Sequence, residues 1–103
     1  MELVETSVFT RQVTAELPPE DYRELQLALI ARPGLGPVIP GSGGLRKVRW
    51  RLQGRGKRGG ARVIYYWHLP EDRIFLLFLY PKNVRSDLTP RELRVLRRLA
   101  EGG

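Results

Sequence analysis

The stretch that decides the fold is ARVIYYWHLPEDRIFLLFLY, residues 61–80, because it contains two strand-forming runs around a single turn. Residues 61–69 are rich in β-branched and aromatic side chains, which favour extended structure. Residues 70–72, Pro-Glu-Asp, are typical of a tight turn. Residues 73–80 are apolar at nearly every position, so we predict a central strand that is covered on both faces.

A third strand is predicted immediately upstream. Residues 45–52 alternate between apolar and basic side chains, which indicates one buried and one exposed face. The apolar positions are Val48, Trp50 and Leu52, and the basic positions are Lys47, Arg49 and Arg51. Residues 53–60 are rich in glycine and bases and predict a long hairpin loop that leads into the next strand.

The flanking segments complete the element order. Residues 3–10 contain Val, Thr and Phe and favour a first strand. A helix is expected to begin at Pro18-Pro19-Glu20-Asp21 and to end near Arg32-Pro33-Gly34, before a loop over residues 33–44. Thr89-Pro90-Arg91-Glu92 is a capping box that starts a final helix. The order strand, helix, three-stranded meander, helix predicts one α+β domain over residues 1–103, with a small antiparallel sheet.

The amino-acid composition excludes several classes of catalytic and metal site. The chain has 103 residues, no cysteine and one histidine, His68. Disulfides, a thiol nucleophile and thiolate metal sites are therefore excluded, and the scattered acids offer no ligand spacing for a metal. We expect no cofactor and no metal. No apolar run approaches the ~20 residues of a membrane helix. A cysteine-free chain fits the reducing cytoplasm.

The net charge of +7 is unevenly distributed. Residues 1–24 carry a net charge of −4, so the remainder carries +11. Residues 46–62 contain eight bases and no acid, a density that repels itself unless a polyanion lies near it. The pattern indicates binding to a nucleic-acid backbone and does not separate RNA from DNA. Aromatic residues on the same strands could stack bases.

Three ordered blocks of sequence carry a resemblance to a known family. They are VIPGSGGLRKVRW at residues 38–50, GRGKRGGARVIYYW at residues 54–67, and YPKN followed by DLTP between residues 80 and 90. These blocks resemble RelE/HigB-type toxins of the RelE/ParE superfamily. The resemblance implies a RelE-like fold, a type II toxin–antitoxin system, and metal-independent cleavage of mRNA at the ribosome by attack of the RNA 2′-OH. It also implies a cognate helix-turn-helix antitoxin, HigA-like, as partner.

The resemblance also implies roles for individual residues. Arg62 is the first candidate for phosphate stabilisation, and Lys57 and Lys82 are candidates for transition-state stabilisation or proton donation. Tyr80 would orient or stack a base. The expected RNA-binding residues are Arg46, Lys47, Arg49, Arg51, Arg55, Arg58 and Tyr66. The general base, the codon preference and the oligomeric state stay open.

Two other functions fit the same sequence. ParE-type relatives of this superfamily inhibit DNA gyrase without cleaving RNA, and one fold can host both activities. A nucleic-acid-binding module without cleavage would show salt-steep binding and no toxicity.

Overall fold

A four-stranded sheet with helices on both faces forms the centre of the molecule. The computed structural model describes residues 1–51, 60–85 and 87–101. The elements in chain order are β1 (Glu2–Glu5), α1 (Ser7–Glu16), α2 (Pro19–Ala31), β2 (Arg46–Trp50), β3 (Ala61–His68), β4 (Arg73–Pro81) and α3 (Pro90–Ala100), with a 3₁₀ turn at Leu69–Glu71 between β3 and β4.

The sheet has the strand order β1-β4-β3-β2. β2 pairs antiparallel with β3, and β3 pairs antiparallel with β4, as the meander prediction requires. β1 instead runs parallel to β4, so the sheet is mixed. The α+β class and the meander are confirmed. The prediction of an antiparallel sheet is wrong for β1 alone among the described strands, because β1 pairs with β4 in parallel.

The N-terminal segment departs from the predicted strand over residues 3–10. The strand ends at Glu5, and Thr6 caps a helix by accepting a hydrogen bond from the Phe9 N–H at 3.0 Å. Phe9 and Val13 then lie one turn apart and are both buried, which gives α1 a stable inner face. The cap and the helical spacing outweigh the β propensity of Val, Thr and Phe.

The helix predicted to begin at Pro18-Pro19-Glu20-Asp21 is confirmed and is the second helix of the chain, α2. Pro19 occupies the first turn of α2, where its missing N–H costs no helical hydrogen bond. Leu25 and Leu29 lie one turn apart and are fully buried, whereas Ile30 is exposed. Together, α1 and α2 cover one face of the sheet.

The core is divided by the sheet into two layers. The larger layer packs α1 and α2 against the first face; its buried members include Phe9, Val13, Leu17, Leu25, Leu29, Val48, Val63, Tyr65, Ile74, Leu76 and Leu79. The smaller layer packs α3 against the opposite face; its buried members are Leu45, Ile64, Leu77, Tyr80, Leu96 and Ala100. β3 and β4 are thus covered on both faces, as the continuous apolar run of residues 73–80 predicts.

The loop between α2 and β2 is fixed to the sheet by one buried tyrosine. The Tyr65 hydroxyl donates to the Pro33 carbonyl at 2.7 Å and accepts the Gly36 N–H at 2.9 Å. A Cβ at Gly36 would lie 2.7 Å from the Lys47 carbonyl oxygen, so only glycine allows this close approach of two backbones. The loop therefore delivers the chain into β2 along a fixed path.

Within the described ranges, no helix has the length and apolar character needed to cross a membrane.

Candidate functional site

A row of three residues crosses β2, β3 and β4 on the face that α3 partly covers. Arg49 is the register partner of Arg62, and Arg62 is the register partner of Tyr80. Directly opposed residues on neighbouring strands lie on the same face, with Cβ atoms about 4.5–5.5 Å apart. The register therefore brings together three predicted site residues from three strands: two arginines, Arg49 and Arg62, and one tyrosine, Tyr80.

Arg62 is buried, with 3% of its surface exposed. A guanidinium stays charged at every physiological pH, and burying a cation costs free energy unless neighbouring groups stabilise it. Burial raises the pKa of Tyr80 and the Arg62 charge offsets part of that rise, while the same charge adds to the Lys47 hydrogen bond in lowering the pKa of Asp87. The field of Arg62 therefore acts on both groups. Arg62 is thus a fixed positive charge at the base of this face.

Tyr80 is equally buried, at 3% exposed, and contributes to the smaller core layer. Burial is the main cause that raises the pKa of Tyr80, and the Asp87 carboxylate adds to the increase. The Arg85 guanidinium carbon lies 5.9 Å from the centre of the Tyr80 ring, within cation–π range. The ring is therefore a neutral, oriented surface between cations.

Asp87 is a carboxylate among these cations. It accepts a hydrogen bond from the Lys47 ammonium at 3.0 Å. That hydrogen bond is the main cause that lowers the pKa of Asp87, and the charges of Arg62 and Lys82 lower it further. The Lys82 side chain is exposed in the turn after β4, and the Lys82 backbone N–H donates to the Gly60 carbonyl at 2.9 Å. Asp87 is consequently ionised at neutral pH and holds Lys47 towards the row.

The segment that carries Asp87 is anchored to the start of α3 by Glu92. One Glu92 oxygen accepts the Thr89 N–H at 2.8 Å, which completes the predicted capping box. The Arg85 guanidinium donates to both Glu92 oxygens, at 2.9 Å for the Nη1–Oε2 pair. The hydrogen bonds from Arg85 are the main cause that lowers the pKa of Glu92 to about 2. One carboxylate thus fixes both the helix cap and the arginine beside Tyr80.

Two predicted RNA-binding residues lie away from the row. Arg46 faces the α1 and α2 side, where it donates to the Gly36 carbonyl at 2.8 Å and lies 5.9 Å from the centre of the Trp67 ring. Tyr66 is on the α3 side, but the Arg97 guanidinium covers its ring at 4.4 Å. Both side chains are thus engaged in contacts within the protein.

The remaining predicted residues divide into two groups. Lys47 and Arg49 lie on the face of β2 that carries Arg62, and Arg49 and Arg51 are exposed. Lys57, Arg55 and Arg58 lie outside the described residues, as does the hairpin-loop prediction for most of residues 53–60.

Sequence reasoning did not identify Arg85 and Asp87 as site residues. Asp87 was visible as part of the DLTP block, and Glu92 as part of the capping box, but no local pattern pairs Arg85 with Glu92 seven positions later. That pairing depends on the path of the chain between β4 and α3. In the described ranges, no three His, Asp or Glu side chains come together in a metal-binding arrangement.

These features define a small three-layer α+β domain with a cationic face built around a buried arginine. Residues 40–102 match the family model described as the RelE toxin of the RelE/RelB toxin–antitoxin system. Because this match spans more than half of the chain, the chain belongs to the RelE toxin family. Membership implies an antitoxin partner and confirms the resemblance found in the sequence.

A solved structure supports the fold independently. The chain is similar to a mutant of the Escherichia coli toxin RelE in the free state, in which two arginines are replaced by alanine. The TM-score is 0.63 at 13% sequence identity, and the match covers 93% of this chain and 95% of that chain. At this identity the likeness concerns the fold, and it confirms the predicted RelE-like architecture.

Proposed function

We propose that this RelE-family toxin is a ribosome-dependent endoribonuclease that cleaves mRNA without a metal ion. The observation that carries the proposal is the row of Arg49, Arg62 and Tyr80, in which a buried arginine lies between an exposed arginine and an oriented tyrosine ring. A phosphate that enters this face would meet preorganised positive charge, which is the main requirement for stabilising a pentacoordinate phosphorane.

The proposed reaction uses the nucleophile that RNA itself supplies. The 2′-oxygen bonds to the adjacent phosphorus, and the bond from phosphorus to the 5′-oxygen of the next nucleotide breaks. This leaves a 2′,3′-cyclic phosphate and a 5′-hydroxyl end. Water takes the 2′-OH proton, and Lys82 donates a proton to the departing 5′-oxygen. Lys82 then regains a proton from water.

Arg62 and Lys57 neutralise the charge that develops on the phosphate oxygens, and Tyr80 orients the neighbouring base. The support for Arg62 is its burial, because a charge held in a region of low dielectric acts more strongly on a phosphate than one in water. Lys47, Arg49 and Arg51 bind the RNA backbone along β2, where counterion release favours association. Arg55 and Arg58 belong to the same proposed RNA surface.

The proposed partners follow from this activity. The substrate is mRNA on the cytoplasmic ribosome, which presents a single strand to the site. A helix-turn-helix antitoxin of the HigA type would bind the toxin and block cleavage. The support for the antitoxin is family membership, and its structural class is an inference from the HigB-like sequence blocks.

The experiment that tests the proposal is induction of Arg62→Ala, with mRNA 5′ ends mapped after induction and in a purified translation reaction. Removal of one preorganised donor typically lowers the rate by ~10²–10³. We therefore expect loss of growth arrest and of ribosome-dependent cuts. Arg23→Ala is the matched control, because Arg23 is an exposed arginine on α2, on the other side of the sheet.

The thermal unfolding of each variant is also measured, so that the activities of the variants are compared at a temperature where all of them are folded. Cleavage by Arg62→Ala at the rate of the unmodified chain would remove the site assignment. Growth arrest with intact mRNA and inhibited DNA supercoiling would show the gyrase-inhibitor function instead. RNA binding without cuts or toxicity would show a simple binding module.

A further inference from the structure

A small pocket lies beside the row of Arg49, Arg62 and Tyr80. Its volume is about 230 Å³, which is below the ~300–1,000 Å³ of sites for drug-sized ligands and suits a smaller group. The aliphatic part of its wall is formed by Ile39, Ile64, Leu88 and Leu93. Tyr80 lines the pocket and also belongs to the row, so the pocket is continuous with the candidate site.

Two charged side chains line the entrance of this pocket. The Lys47 ammonium donates to Asp87 Oδ1 at 3.0 Å. The Asp87 side chain is 73% exposed, whereas Ile64 is 1% exposed, so the ion pair lies at the open end and Ile64 at the inner end. An ammonium has three N–H donors, and each carboxylate oxygen accepts more than one hydrogen bond. The entrance therefore offers a donor beside two acceptors.

The Watson–Crick edge of guanine is complementary to this ion pair. That edge presents one acceptor, O6, beside two donors, N1–H and N2–H. The two donors match the two oxygens of Asp87, and O6 matches Lys47, which already lies against Oδ1. Adenine, cytosine and uracil each present one donor group at this edge, so each of them leaves one carboxylate oxygen without a base partner. Proteins read unstacked bases in this way, by hydrogen bonds to the edge and apolar contact with the faces.

The sheet register places the pocket close to the proposed phosphate site. Lys47 is the register partner of Ile64, and Arg49 is the register partner of Arg62. The pocket therefore begins two residues along the strands from the row, which is about 7 Å in extended structure. A base that is linked through its ribose to a phosphate on the row reaches this far.

We propose that the pocket between β2, β3 and the start of α3 is a subsite for a guanine base of the RNA, with Lys47 and Asp87 as its specificity-determining residues. The inference rests on the proposed function, because it places the base of a nucleotide beside the phosphate that is cleaved. Asp87 accepts N1–H and N2–H, Lys47 donates to O6, and the aliphatic side chains cover the faces of the base. The chain therefore prefers to cut RNA beside guanine.

The first test measures the binding of guanosine, inosine and adenosine 5′-monophosphates to the isotopically labelled full chain, through amide chemical shifts. The inosine nucleotide lacks only the N2 amino group of guanine. We expect the guanosine nucleotide to move the resonances of Ile64, Leu88 and Leu93. It should bind about tenfold more tightly than the adenosine nucleotide, with the inosine nucleotide between them, because a good bidentate contact to a base discriminates by about 5–150-fold.

The variant Asp87→Asn should remove this preference, because the amide keeps one acceptor and turns an NH₂ donor towards the second guanine donor. Glu24→Gln is the matched control, since Glu24 is an exposed carboxylate on α2 and its substitution also removes one negative charge. The control should leave the ratio of guanosine to adenosine nucleotide affinity unchanged. In the ribosome-dependent reaction, Asp87→Asn should still cut mRNA but no longer favour guanine beside the cut.

Equal affinity for the guanosine and adenosine nucleotides would overturn the proposal, and so would a guanosine preference that survives Asp87→Asn. Chemical shifts confined to the Arg62 row would also overturn it, because they would show phosphate binding alone. A guanosine preference that depends on Asp87, in a chain that cuts no mRNA, would support the subsite and contradict the endoribonuclease function. Cleavage without any base preference would support the endoribonuclease function and overturn the subsite.

Discussion

The most direct test of how this fold is held together is Tyr65→Phe. The substitution removes one oxygen atom and leaves the ring in the core, where Tyr65 is fully buried. The hydroxyl accepts the Gly36 N–H at 2.9 Å and donates to the Pro33 carbonyl at 2.7 Å. Both partners belong to the loop that leads into β2, so the variant tests a single attachment between loop and sheet.

The expected loss of stability follows from the Gly36 N–H, which Tyr65→Phe leaves without an acceptor. Gly36 is buried, and after the substitution its N–H has lost its acceptor. A buried backbone donor without a partner costs about 1–3 kcal/mol, so we expect the free energy of unfolding to fall by about 2 kcal/mol. For a domain of this size, that corresponds to a decrease in Tm of about 8–16 °C.

The matched control is the neighbouring residue, Tyr66→Phe. The Tyr66 hydroxyl lies 3.4 Å from the Arg97 guanidinium and is only partly buried, so its loss should change the free energy of unfolding by less than about 0.5 kcal/mol. Urea unfolding followed by far-UV circular dichroism measures both variants. Equal destabilisation of the two variants would refute the assigned role of the Tyr65 hydroxyl.

A second arm of this test uses pH. Burial raises the pKa of Tyr65 above its ordinary value of 10.0. Stability gained from a raised pKa is fully present below the unfolded value and is lost as the pH rises through the folded value. The stability difference between the unmodified chain and Tyr65→Phe should therefore shrink as the pH rises above 10. A difference that stays constant over this range would contradict the buried, protonated hydroxyl.

Three further variants test individual contacts. Gly36→Ala should destabilise the fold by about 1–3 kcal/mol in urea, because the new Cβ would lie 2.7 Å from the Lys47 carbonyl oxygen. Thr89→Ala should cost about 1 kcal/mol, seen as faster amide hydrogen exchange in α3, because the Glu92 N–H loses its cap at 3.1 Å. Glu92→Gln tests the linkage between stability and pH: hydrogen bonds from Arg85 lower the pKa of Glu92 in the folded protein to about 2, below its ordinary value of 4.5. The contribution of Glu92 to stability is therefore present above pH 4.5 and is lost as the pH falls towards 2. The variant should lose less stability than the unmodified chain over that interval, and an identical acid profile would contradict the linkage.

The meander and the last helix could be predicted because their signals are local. Alternation along residues 45–52 identifies the buried side of β2, and the apolar run of residues 73–80 identifies a strand covered on both faces. The capping box fixes the start of α3 to the residue. The strand prediction for residues 3–10 is wrong beyond Glu5, because the strand propensity of Val8 and Phe9 conceals the helical spacing of Phe9 and Val13.

The candidate site was only partly accessible for a different reason. The sequence allows Arg62 and Tyr80 to be chosen individually as candidate site residues. It does not predict that they lie opposite each other, because that requires the register between β3 and β4. A one-residue slip in register would send one of the two side chains to the other face. The register between β3 and β4 shifts at Ile64 and Tyr65, a β-bulge that no simple alternation anticipates. The contacts of Arg85 and Asp87 depend on a turn and a short loop, whose path sequence patterns do not specify.

The basic segment shows how a charge run differs from a charged surface. Residues 46–62 contain eight bases, but the pleat of β2 sends successive side chains to opposite faces. Arg46 therefore supports the loop at Gly36 and covers Trp67, whereas Arg49 joins the row with Arg62. A phosphate on the site face thus meets fewer positive charges than the eight bases of residues 46–62, but those charges are held in fixed positions. If the chain cleaves RNA, its rate should depend more on the buried Arg62 than on any exposed member of the run, because preorganised charge stabilises a transition state without reorganisation.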